Sequence, residues 1–403
     1  MMSKTRLVLG LLIGLSSVGW SQRLVWIDWP PRFTGWYRFI LAGNGRVVYF
    51  DSWVEERYRV LRWTEQDGWW YLRADGGLTR NPAEATLIGY VDAASYDGNV
   101  VVGSVPRGSR SRAYRWRLGR GIEYLADPPG AVVSSWALGV SADGNIVAGQ
   151  VAFWPDVRYL ARWHADGQVE IHPDWHELHM WRLSPDGRVI TGYDWNYGRP
   201  FRWVEGRGVH SFPHELGPAS AISYDGRILG GNGSGGAYRW KVEEGVIEWL
   251  VPFGYANYAS AGPMSWDGRV VAGWYVRSEW EWENSFWRGF VWREGIGAVD
   301  LYEAFRGLWP EWVDRVEVEG LSANGRYLLG LGWRHGGMAR LFWLDMGRLG
   351  DVDGDGCVDD GDLLEVLFSF GEVGMNLRGD LDGDGMVGES DLLEVLLHFG
   401  EGC

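Results

Sequence analysis

SADGNIVAG, residues Ser141–Gly149, is the stretch that decides the fold. An Asp-Gly pair beside an apolar run favours a hairpin, because both central residues of a type I′ turn need positive φ. The phrase recurs as SYDGNVVVG, SPDGRVITG, SYDGRILGG, SWDGRVVAG and SANGRYLLG, and in weaker form as AGNGRVVYF. The turn glycines, 39 to 57 residues apart, are Gly45, Gly98, Gly144, Gly187, Gly226, Gly268 and Gly325. The chain therefore contains seven repeats.

Each turn is followed by a second signature, a tryptophan preceded by an arginine or an apolar residue. The seven tryptophans are Trp63, Trp116, Trp163, Trp203, Trp240, Trp292 and Trp343. A short turn and another apolar strand follow, as in FRWVEGRGVHSF, so each repeat holds about four strands. Four strands in about 43 residues is the pattern of a β-propeller blade. We predict an all-β, seven-bladed propeller over residues 22–348, with residues 22–40 supplying a strand that joins the first and last blades.

These repeats resemble the HAF family of probable extracellular repeats, whose pattern is S-x-D-G, an apolar strand, a glycine, and then aromatic-Arg-Trp. The match covers most of residues 40–345 and includes a helix-prone segment, DLYEAFRGL, in the last unit. The resemblance implies an extracellular location and a repeat architecture, without implying a particular activity.

An acidic sequence motif occurs twice near the end of the chain, as GDVDGDGCVDDGDLLEVLFSFG (350–371) and GDLDGDGMVGESDLLEVLLHFG (379–400). Each copy has the calcium-loop pattern D-x-D-x-D-G with Asp at the twelfth position, followed by an apolar helix. We predict two calcium ions. The first is held by Asp351, Asp353, Asp355, the Cys357 carbonyl, Asp359 and Asp362, and the second by Asp380, Asp382, Asp384, the Met386 carbonyl and Asp391.

Each loop is followed by a helix but not preceded by one, and this loop–helix unit occurs twice. A duplicated unit of this kind resembles the type I dockerin, which attaches secreted proteins to cohesin-bearing scaffolds. The resemblance covers about residues 349–403 and implies a small all-α module of paired calcium-binding half-hands. Clostridial dockerins often have small hydroxyl residues at loop positions 10 and 11, whereas here Asp360–Gly361 and Glu389–Ser390 stand there. The helices also carry no Lys or Arg. The resemblance therefore implies a cohesin-like receptor of another kind.

The charge of the chain is concentrated in this tail. The net charge is −15, and residues 351–403 contain 15 acidic residues against one basic residue, which leaves the other 350 residues near neutrality. We therefore predict no nucleic-acid surface. Lys4 and Arg6 precede the apolar run Leu7–Leu15, which is typical of a secretory signal peptide over residues 1–21. We predict a secreted or cell-surface protein that does not span a membrane.

The two cysteines, Cys357 and Cys403, both lie in the tail. An oxidising compartment favours disulfides. We hypothesise that these two residues are bonded and tie the C-terminus back to the first loop.

Tryptophans at the repeated position are predicted to be core, because one residue type used identically in every blade usually packs inside. Off-pattern aromatics are the ligand candidates: Trp280, Trp282 and Trp287 in RSEWEWENSFW, and also Trp69, Trp70, Trp309 and Trp312. The first three form either an exposed carbohydrate-binding hairpin or a hairpin packed on its neighbour, and the sequence favours neither.

No catalytic residue is nominated. A glycosidase needs two carboxylates about 5–10 Å apart, and Glu177, Glu205, Glu281, Glu311 and Asp314 cannot be paired from linear spacing. His172, His176 and His179 match no known metal spacing. The expected function is a calcium-dependent docking protein whose propeller binds or displays, with polysaccharide as a ligand. The alternatives are a dockerin-bearing glycoside hydrolase and a structural surface protein.

Overall fold

The computed structural model describes residues 22–29, 39–54, 56–130, 132–155, 157–171, 175–251, 258–277, 286–334, 337, 339–347, 350–352, 357–373, 379, 386–400 and 403. The proposed signal peptide, residues 1–21, lies outside this part of the chain. Over the described residues, seven antiparallel sheets form the blades of a propeller. The predicted fold class of the main domain is thereby confirmed.

Strands within a blade follow one another in sequence from the axis outward. Blade 1 has five strands: β2 (Phe39–Leu41), β3 (Val47–Val54), β4 (Arg57–Thr64), β5 (Gly68–Leu72) and β6 (Leu78–Thr79). Blade 2 comprises β7 (Tyr90–Ala94), β8 (Val100–Arg107), β9 (Arg110–Arg117) and β10 (Gly121–Tyr124). Blade 3 comprises β11 (Val132–Val140), β12 (Val147–Phe153), β13 (Val157–Trp163) and β14 (Val169–Glu170).

The next three blades keep the four-strand plan. Blade 4 comprises β15 (Leu178–Leu183), β16 (Val189–Asp194), β17 (Arg199–Val204) and β18 (Gly208–Ser211). Blade 5 comprises β19 (Leu216–Ile222), β20 (Ile228–Gly233), β21 (Gly236–Lys241) and β22 (Val246–Trp249). Blade 6 comprises β23 (Ala259–Met264), β24 (Val270–Arg277), β25 (Phe286–Arg293) and β26 (Gly297–Asp300).

Blade 7 closes the ring with strands from both ends of the domain. It comprises β27 (Arg315–Leu321), β28 (Tyr327–Trp333), β29 (Arg340–Asp345) and, outermost, β1 (Arg23–Ile27). β1 pairs antiparallel with β29, with Arg23 opposite Asp345 and Ile27 opposite Leu341. The closing strand predicted for residues 22–40 is therefore present at the start of that segment. Before this blade, Asp300 caps helix α1 (Leu301–Ala304), and a 3-10 turn follows at Arg306–Leu308.

Each S-x-D-G phrase forms the turn between the first and second strands of its blade. In blade 3 the Ser141 hydroxyl donates to Oδ1 of Asp143 at 2.5 Å and accepts from the Ile146 amide at 2.9 Å. The Asn145 amide donates to the same carboxylate at 3.0 Å. Gly144 has φ 74°, a conformation that a side chain disfavours. The serine and the aspartate are thus turn-forming residues.

The turns of all seven blades join in a ring of backbone hydrogen bonds. The seven bonds, each between neighbouring blades, run Ala323→Gly43, Asn44→Tyr96, Tyr96→Ala142, Ala142→Pro185, Asp186→Tyr224, Tyr224→Trp266 and Trp266→Ala323, at 2.7 to 3.1 Å. The donor shifts to Asp186 in blade 4 because Pro185 has no amide hydrogen. The second residue of each turn therefore lies at the axis, and we call this side of the propeller the turn end.

The recurring Arg-Trp pair bridges neighbouring blades. Trp116 is fully buried, and its Nε1 donates to the carbonyl of Arg73 in blade 1 at 2.6 Å. Arg239 is buried in blade 5, and its Nη1 lies 2.6 Å from Glu248 and 3.1 Å from Glu294 of blade 6. Six of the seven repeat tryptophans are buried, and Trp292 is partly buried. The prediction that they are core residues is confirmed for those six.

After β29 the chain forms two helices, α2 (Asp360–Phe368) and α3 (Glu389–His398). A small core joins them, made of five buried valines, Val352, Val358, Val366, Val387 and Val395. Among the helices that the structure describes, none has the length and apolar character needed to cross a membrane.

Candidate functional site

Three aromatic side chains cover the axis at the turn end. The Tyr96 and Trp266 rings lie 5.0 Å apart, and the Tyr224 and Trp266 rings 5.1 Å apart. Tyr96 belongs to blade 2 and Trp266 to blade 6, so their contact crosses the axis. Tyr96 is 46% exposed and Tyr224 is 45% exposed. We call these three residues the axial cluster.

Gly43 of blade 1 makes room for this cluster. A Cβ at Gly43 would lie 2.8 Å from the Tyr96 ring and 3.1 Å from the Trp266 ring, closer than side chains normally approach. The first repeat, AGNG, departs from S-x-D-G at the position where two rings from other blades meet. A larger residue there would displace them.

A groove opens beside the cluster between blades 5 and 6. Its volume is about 430 Å³, and Tyr224 and Trp266 form part of its wall. The rest of the wall comes from the S-x-D-G turns of the two blades and from the turns after β21 and β25. We call it the blade 5–6 groove.

Charged side chains line this groove, and most of them are paired. Arg227 Nε lies 3.2 Å from Asp225 and 3.6 Å from Glu243. Lys241 Nζ lies 3.3 Å from Glu294, which Arg239 also contacts. Burial would raise the pKa of Glu294, but the neighbouring cations Arg239 and Lys241 outweigh it and lower the pKa. The lining is therefore an ordered network of ion pairs.

Trp287, from the segment predicted as a ligand platform, lies at the start of β25, at the end of blade 6 opposite the S-x-D-G turn. Trp280 and Trp282 fall outside the described residues. Trp287 is 47% exposed, and its ring lies 4.1 Å from that of Trp274 on the neighbouring strand. This contact is what the packed-hairpin alternative requires of Trp287.

The other off-pattern tryptophans pack against the cores of their blades. Trp309 is buried in a core cluster, and Trp312 is partly buried and packs against that cluster beside Trp26. Trp69 and Trp70 are partly buried on β5, and Trp69 packs against a second core cluster. These contacts favour a packing role for Trp309, Trp312 and Trp69.

The candidate acids and histidines do not form a catalytic arrangement in the described part of the chain. Glu205 lies 2.7 Å from buried Arg162, and this ion pair joins blade 4 to blade 3. Glu177 Oε2 lies 3.5 Å from His179, whose pKa is lowered mainly by burial and partly restored by Glu177. Glu281 and His172 lie outside the described residues. Glu311 and Asp314 lie in the segment before β27, away from the groove lining.

The described residues of the two predicted calcium loops lie around the first turns of α2 and α3. Asp362 is fully buried; its Oδ2 accepts from the Asp359 amide at 2.9 Å, and its Oδ1 accepts from the Val352 amide. Asp391 is equally buried and accepts from the Gly388 amide at 2.7 Å. Asp351 is 5% exposed. The residues outside the described part are Asp353, Asp355, Asp380, Asp382 and Asp384.

The two loop–helix units exchange matching hydrogen bonds. The Gly371 amide, after α2, donates to the Val387 carbonyl of the second loop at 2.8 Å. The Gly400 amide, after α3, donates to the Val358 carbonyl of the first loop at 2.7 Å. Each glycine and each valine is 29 residues from its counterpart. The sequence duplication is therefore also a structural one, with the halves related by an approximate twofold.

A disulfide joins Cys357 and Cys403, as hypothesised, with their Cα atoms 4.8 Å apart. Among the described residues, these cysteines and Asp359 are the one group that brings three potential metal ligands within 4.8 Å. Because both sulfurs are in the disulfide, the group is no thiolate metal site. Cys357 retains its backbone carbonyl for the role predicted for Cys357 in the first loop.

The helical module contacts the turn end of blades 6 and 7. Arg326 forms a bidentate salt bridge with Asp345, with distances of 2.7 and 2.9 Å, and its Nη1 lies 3.6 Å from Asp351. Glu394, Leu397 and His398 of α3 line a cleft of about 300 Å³ with blades 6 and 7. Desolvation lowers the pKa of Arg293, in this cleft, to about 10, and Glu394 partly opposes the shift. This cleft shares Asp267 and Glu294 with the blade 5–6 groove.

Sequence reasoning missed the axial cluster, although a signal was present. The second residue of the S-x-D-G turn is Tyr, Tyr and Trp in three of the repeats, at Tyr96, Tyr224 and Trp266, and small or Pro elsewhere. Only the ring closure shows that this position lies at the axis.

No protein-family model matches the sequence. No curated protein matches it either. Solved structures with a similar fold include TolB from Acinetobacter baumannii (15% identity, 79% of this chain and 66% of TolB, TM-score 0.39). A chain of the mitotic checkpoint complex is similar over 80% of this chain and 90% of its own length (12% identity, TM-score 0.45). An oligogalacturonate lyase in complex with manganese is similar over 82% and 94% (13% identity, TM-score 0.50). This chain thus spans just under two thirds of TolB, and the likeness to the lyase shows the fold alone.

Proposed function

We propose that this protein is a secreted docking protein, in which a calcium-loaded C-terminal module attaches a ligand-binding propeller to an extracellular or cell-surface receptor. The observation that carries the proposal is the reciprocal pairing of the two loop–helix units through Gly371 and Gly400. An acidic tail without a metal-binding role would not be expected to repeat the calcium-loop pattern and to fold as two matched halves.

The described loop residues fit calcium. Calcium takes six to eight oxygen ligands, mostly carboxylates and backbone carbonyls. Asp351, Asp359 and Asp362 offer carboxylates at positions 1, 9 and 12 of the first loop, and Cys357 offers its carbonyl at position 7. When bound, calcium supplies positive charge that offsets the repulsion among these carboxylates, so that metal binding and folding of the module are coupled.

The helices present apolar residues to a receptor. The two units expose matching side chains, namely Leu364 and Leu393, Leu367 and Leu396, Phe368 and Leu397, and Phe370 and Phe399. Contiguous exposed apolar surface of this kind favours protein association. Leu397 borders the cleft with the propeller, whereas Phe368 on α2 is 82% exposed. We therefore assign the receptor contact chiefly to α2, and the receptor to a cohesin-like protein with a complementary apolar face.

The propeller is assigned a binding role and polysaccharide as its ligand class. Aromatic rings over the axis suit the apolar faces of sugars, and the groove acids Asp225, Glu243 and Glu294 are engaged by bases. The dockerin-bearing hydrolase remains the alternative, and it requires two free carboxylates facing one cleft.

Calorimetric titration of the secreted protein with calcium tests the docking module. We expect two ions per chain, one ion in Asp362→Asn or Asp391→Asn, and two in Asp360→Asn, whose exposed residue stands at the non-ligating tenth position. Capture of a receptor from the producing cell's envelope should be abolished by a chelator and by Phe368→Ser, with a smaller loss in Leu397→Ser. Absence of heat on titration, or capture insensitive to chelator, would refute the proposal.

A further inference from the structure

We infer that the blade 5–6 groove is a binding subsite for a neutral or amino-bearing sugar residue, and that it rejects uronic acids. This inference deepens the proposed function, since it rests on the propeller being the ligand-binding part of the protein. It places the ligand at the turn end, at the opposite end of blade 6 from Trp287.

The aromatic wall supplies the apolar contact. Tyr224 is 45% exposed and Trp266 is partly buried, and both line the groove. Trp266 is held between Tyr96 and Tyr224 at 5.0 and 5.1 Å, so its orientation is set before a ligand arrives. A preorganised ring loses little conformational entropy on binding. The C–H face of a pyranose packs well on such a surface.

The polar wall supplies fixed hydrogen-bonding groups. The Ser223 hydroxyl donates to Asp225 at 3.1 Å, and Arg227 forms ion pairs with Asp225 at 3.2 Å and with Glu243 at 3.6 Å. A volume of about 430 Å³ is within the range of small-molecule sites.

The charge balance selects among sugars. Five carboxylates line the groove, Asp225, Glu243, Glu244, Asp267 and Glu294, against three bases, Arg227, Arg239 and Lys241. Among the described residues, neither Glu244 nor Asp267 has a Lys or Arg within ion-pair distance. The Glu244 carboxylate accepts hydrogen bonds from hydroxyl or ammonium groups and repels a carboxylate. Asp267 Oδ1 already accepts from the Ser265 hydroxyl and the Arg269 amide, so Asp267 acts on the ligand mainly through its charge. Arg269, beside the lining, also pairs with Glu294 at 3.6 Å, so carboxylates exceed bases around the groove by one, and a uronate would add to that excess.

The groove continues toward the helical module. Asp267 and Glu294 also line the cleft that α3 forms with blades 6 and 7. A longer saccharide leaving the groove on this side meets Glu394 and His398, which lie 3.2 Å apart. The site therefore suits one unit of a chain rather than an isolated monosaccharide.

The test compares three oligosaccharides of equal length on the secreted protein with calcium present: a glucose oligomer, a glucosamine oligomer and a galacturonate oligomer. We expect the first two to bind and the third not to bind. Trp266→Ala and Tyr224→Ala should weaken binding at least about tenfold, which corresponds to 1.4 kcal/mol. Trp195→Ala, an exposed tryptophan in the loop after β16, should leave binding unchanged. Glu244→Gln should weaken the glucosamine oligomer about two- to fivefold and spare the glucose oligomer.

Equal or tighter binding of galacturonate would overturn the inference. So would binding of none of the three, loss in Trp195→Ala but not in Trp266→Ala, or binding of a lysine-rich peptide in place of all three sugars. Calcium titration and receptor capture of the same variants should match the unmodified protein. A failure of sugar binding is thereby distinguished from a failure of docking, because each has its own readout.

Discussion

Arg326 of blade 7 lies 3.6 Å from Asp351, the first residue of the first predicted calcium loop. The same guanidinium holds Asp345 at the end of β29 by two hydrogen bonds. Burial would lower the pKa of Arg326, but the Asp345 carboxylate outweighs burial and raises it. One buried cation thus joins the last propeller strand to the loop that follows it.

Replacement of Arg326 by alanine should therefore destabilise the protein. Asp345 is 8% exposed and would be left as a buried charge without this cation, which costs about 3–5 kcal/mol. Denaturant unfolding at saturating calcium measures the loss. Arg188→Ala is the matched control, because Arg188 is largely exposed and 3.6 Å from Glu205, so its pair contributes at most about 1 kcal/mol. Equal effects of the two substitutions would contradict the assigned role of Arg326.

Removal of a repeat tryptophan should cost more than removal of an exposed one. Trp116→Ala deletes a fully buried ring and its hydrogen bond to Arg73, and we expect a loss of about 3–5 kcal/mol. Trp195→Ala should change the free energy of unfolding by less than about 1 kcal/mol, since Trp195 is 62% exposed. The comparison is read from thermal unfolding of both variants. A stable Trp116→Ala protein would mean that this position is not core.

Acid should weaken the propeller through its turn carboxylates. Burial alone would raise the pKa of Asp143, but hydrogen bonds from Ser141 and Asn145 outweigh it and lower the pKa; Asp97 behaves alike. The unfolded chain then takes up these protons at a higher pH than the folded one. The stabilisation is fully present above the ordinary value of 3.8 and is lost as pH falls through the lowered folded values.

Melting curves from pH 7 to pH 3 test this dependence on Asp143. Asp143→Asn should flatten the acid-side decline, because Asn does not titrate and its Oδ1 can still accept from the Ser141 hydroxyl and the Asn145 backbone amide. The bond that the Asn145 side chain donates to Oδ2 is lost at every pH and therefore does not change the slope. Blade 7 uses Asn naturally, with the Ser322 hydroxyl 2.6 Å from Oδ1 of Asn324. An identical pH profile in the variant would exclude Asp143 as a contributor.

Reduction of the disulfide should loosen the helical module. Cys357 and Cys403 are 46 residues apart, and a cross-link over that span stabilises by about 4 kcal/mol in the chain-entropy account. The chain has two cysteines in all, so a thiol assay of protein purified without reductant should read zero before reduction and two after. Helical signal under denaturant should fall earlier in the reduced protein and in Cys403→Ser. Two thiols in the untreated protein would show that the bond is absent.

Local sequence patterns are sufficient to predict the blades. The Asp-Gly turn, the alternating apolar strands and the Arg-Trp pair act over a few residues, so their recurrence predicts seven sheets and the strand β1 that completes the last one. The duplicated tail likewise predicts two matched loop–helix units, because loop spacing and helix periodicity are local properties.

The tertiary structure alone decided where the candidate site lies. Tyr96 and Trp266 are 170 residues apart, and they meet only because closure of the ring brings the second residue of every turn to the axis. The pairing of Arg239 with Glu294 depends on how blade 6 packs against blade 5, and the contact of Asp351 with Arg326 depends on how the segment after β29 folds back onto blade 7. Contacts between distant residues depend on how complete blades pack around the axis, and no local pattern contains that information.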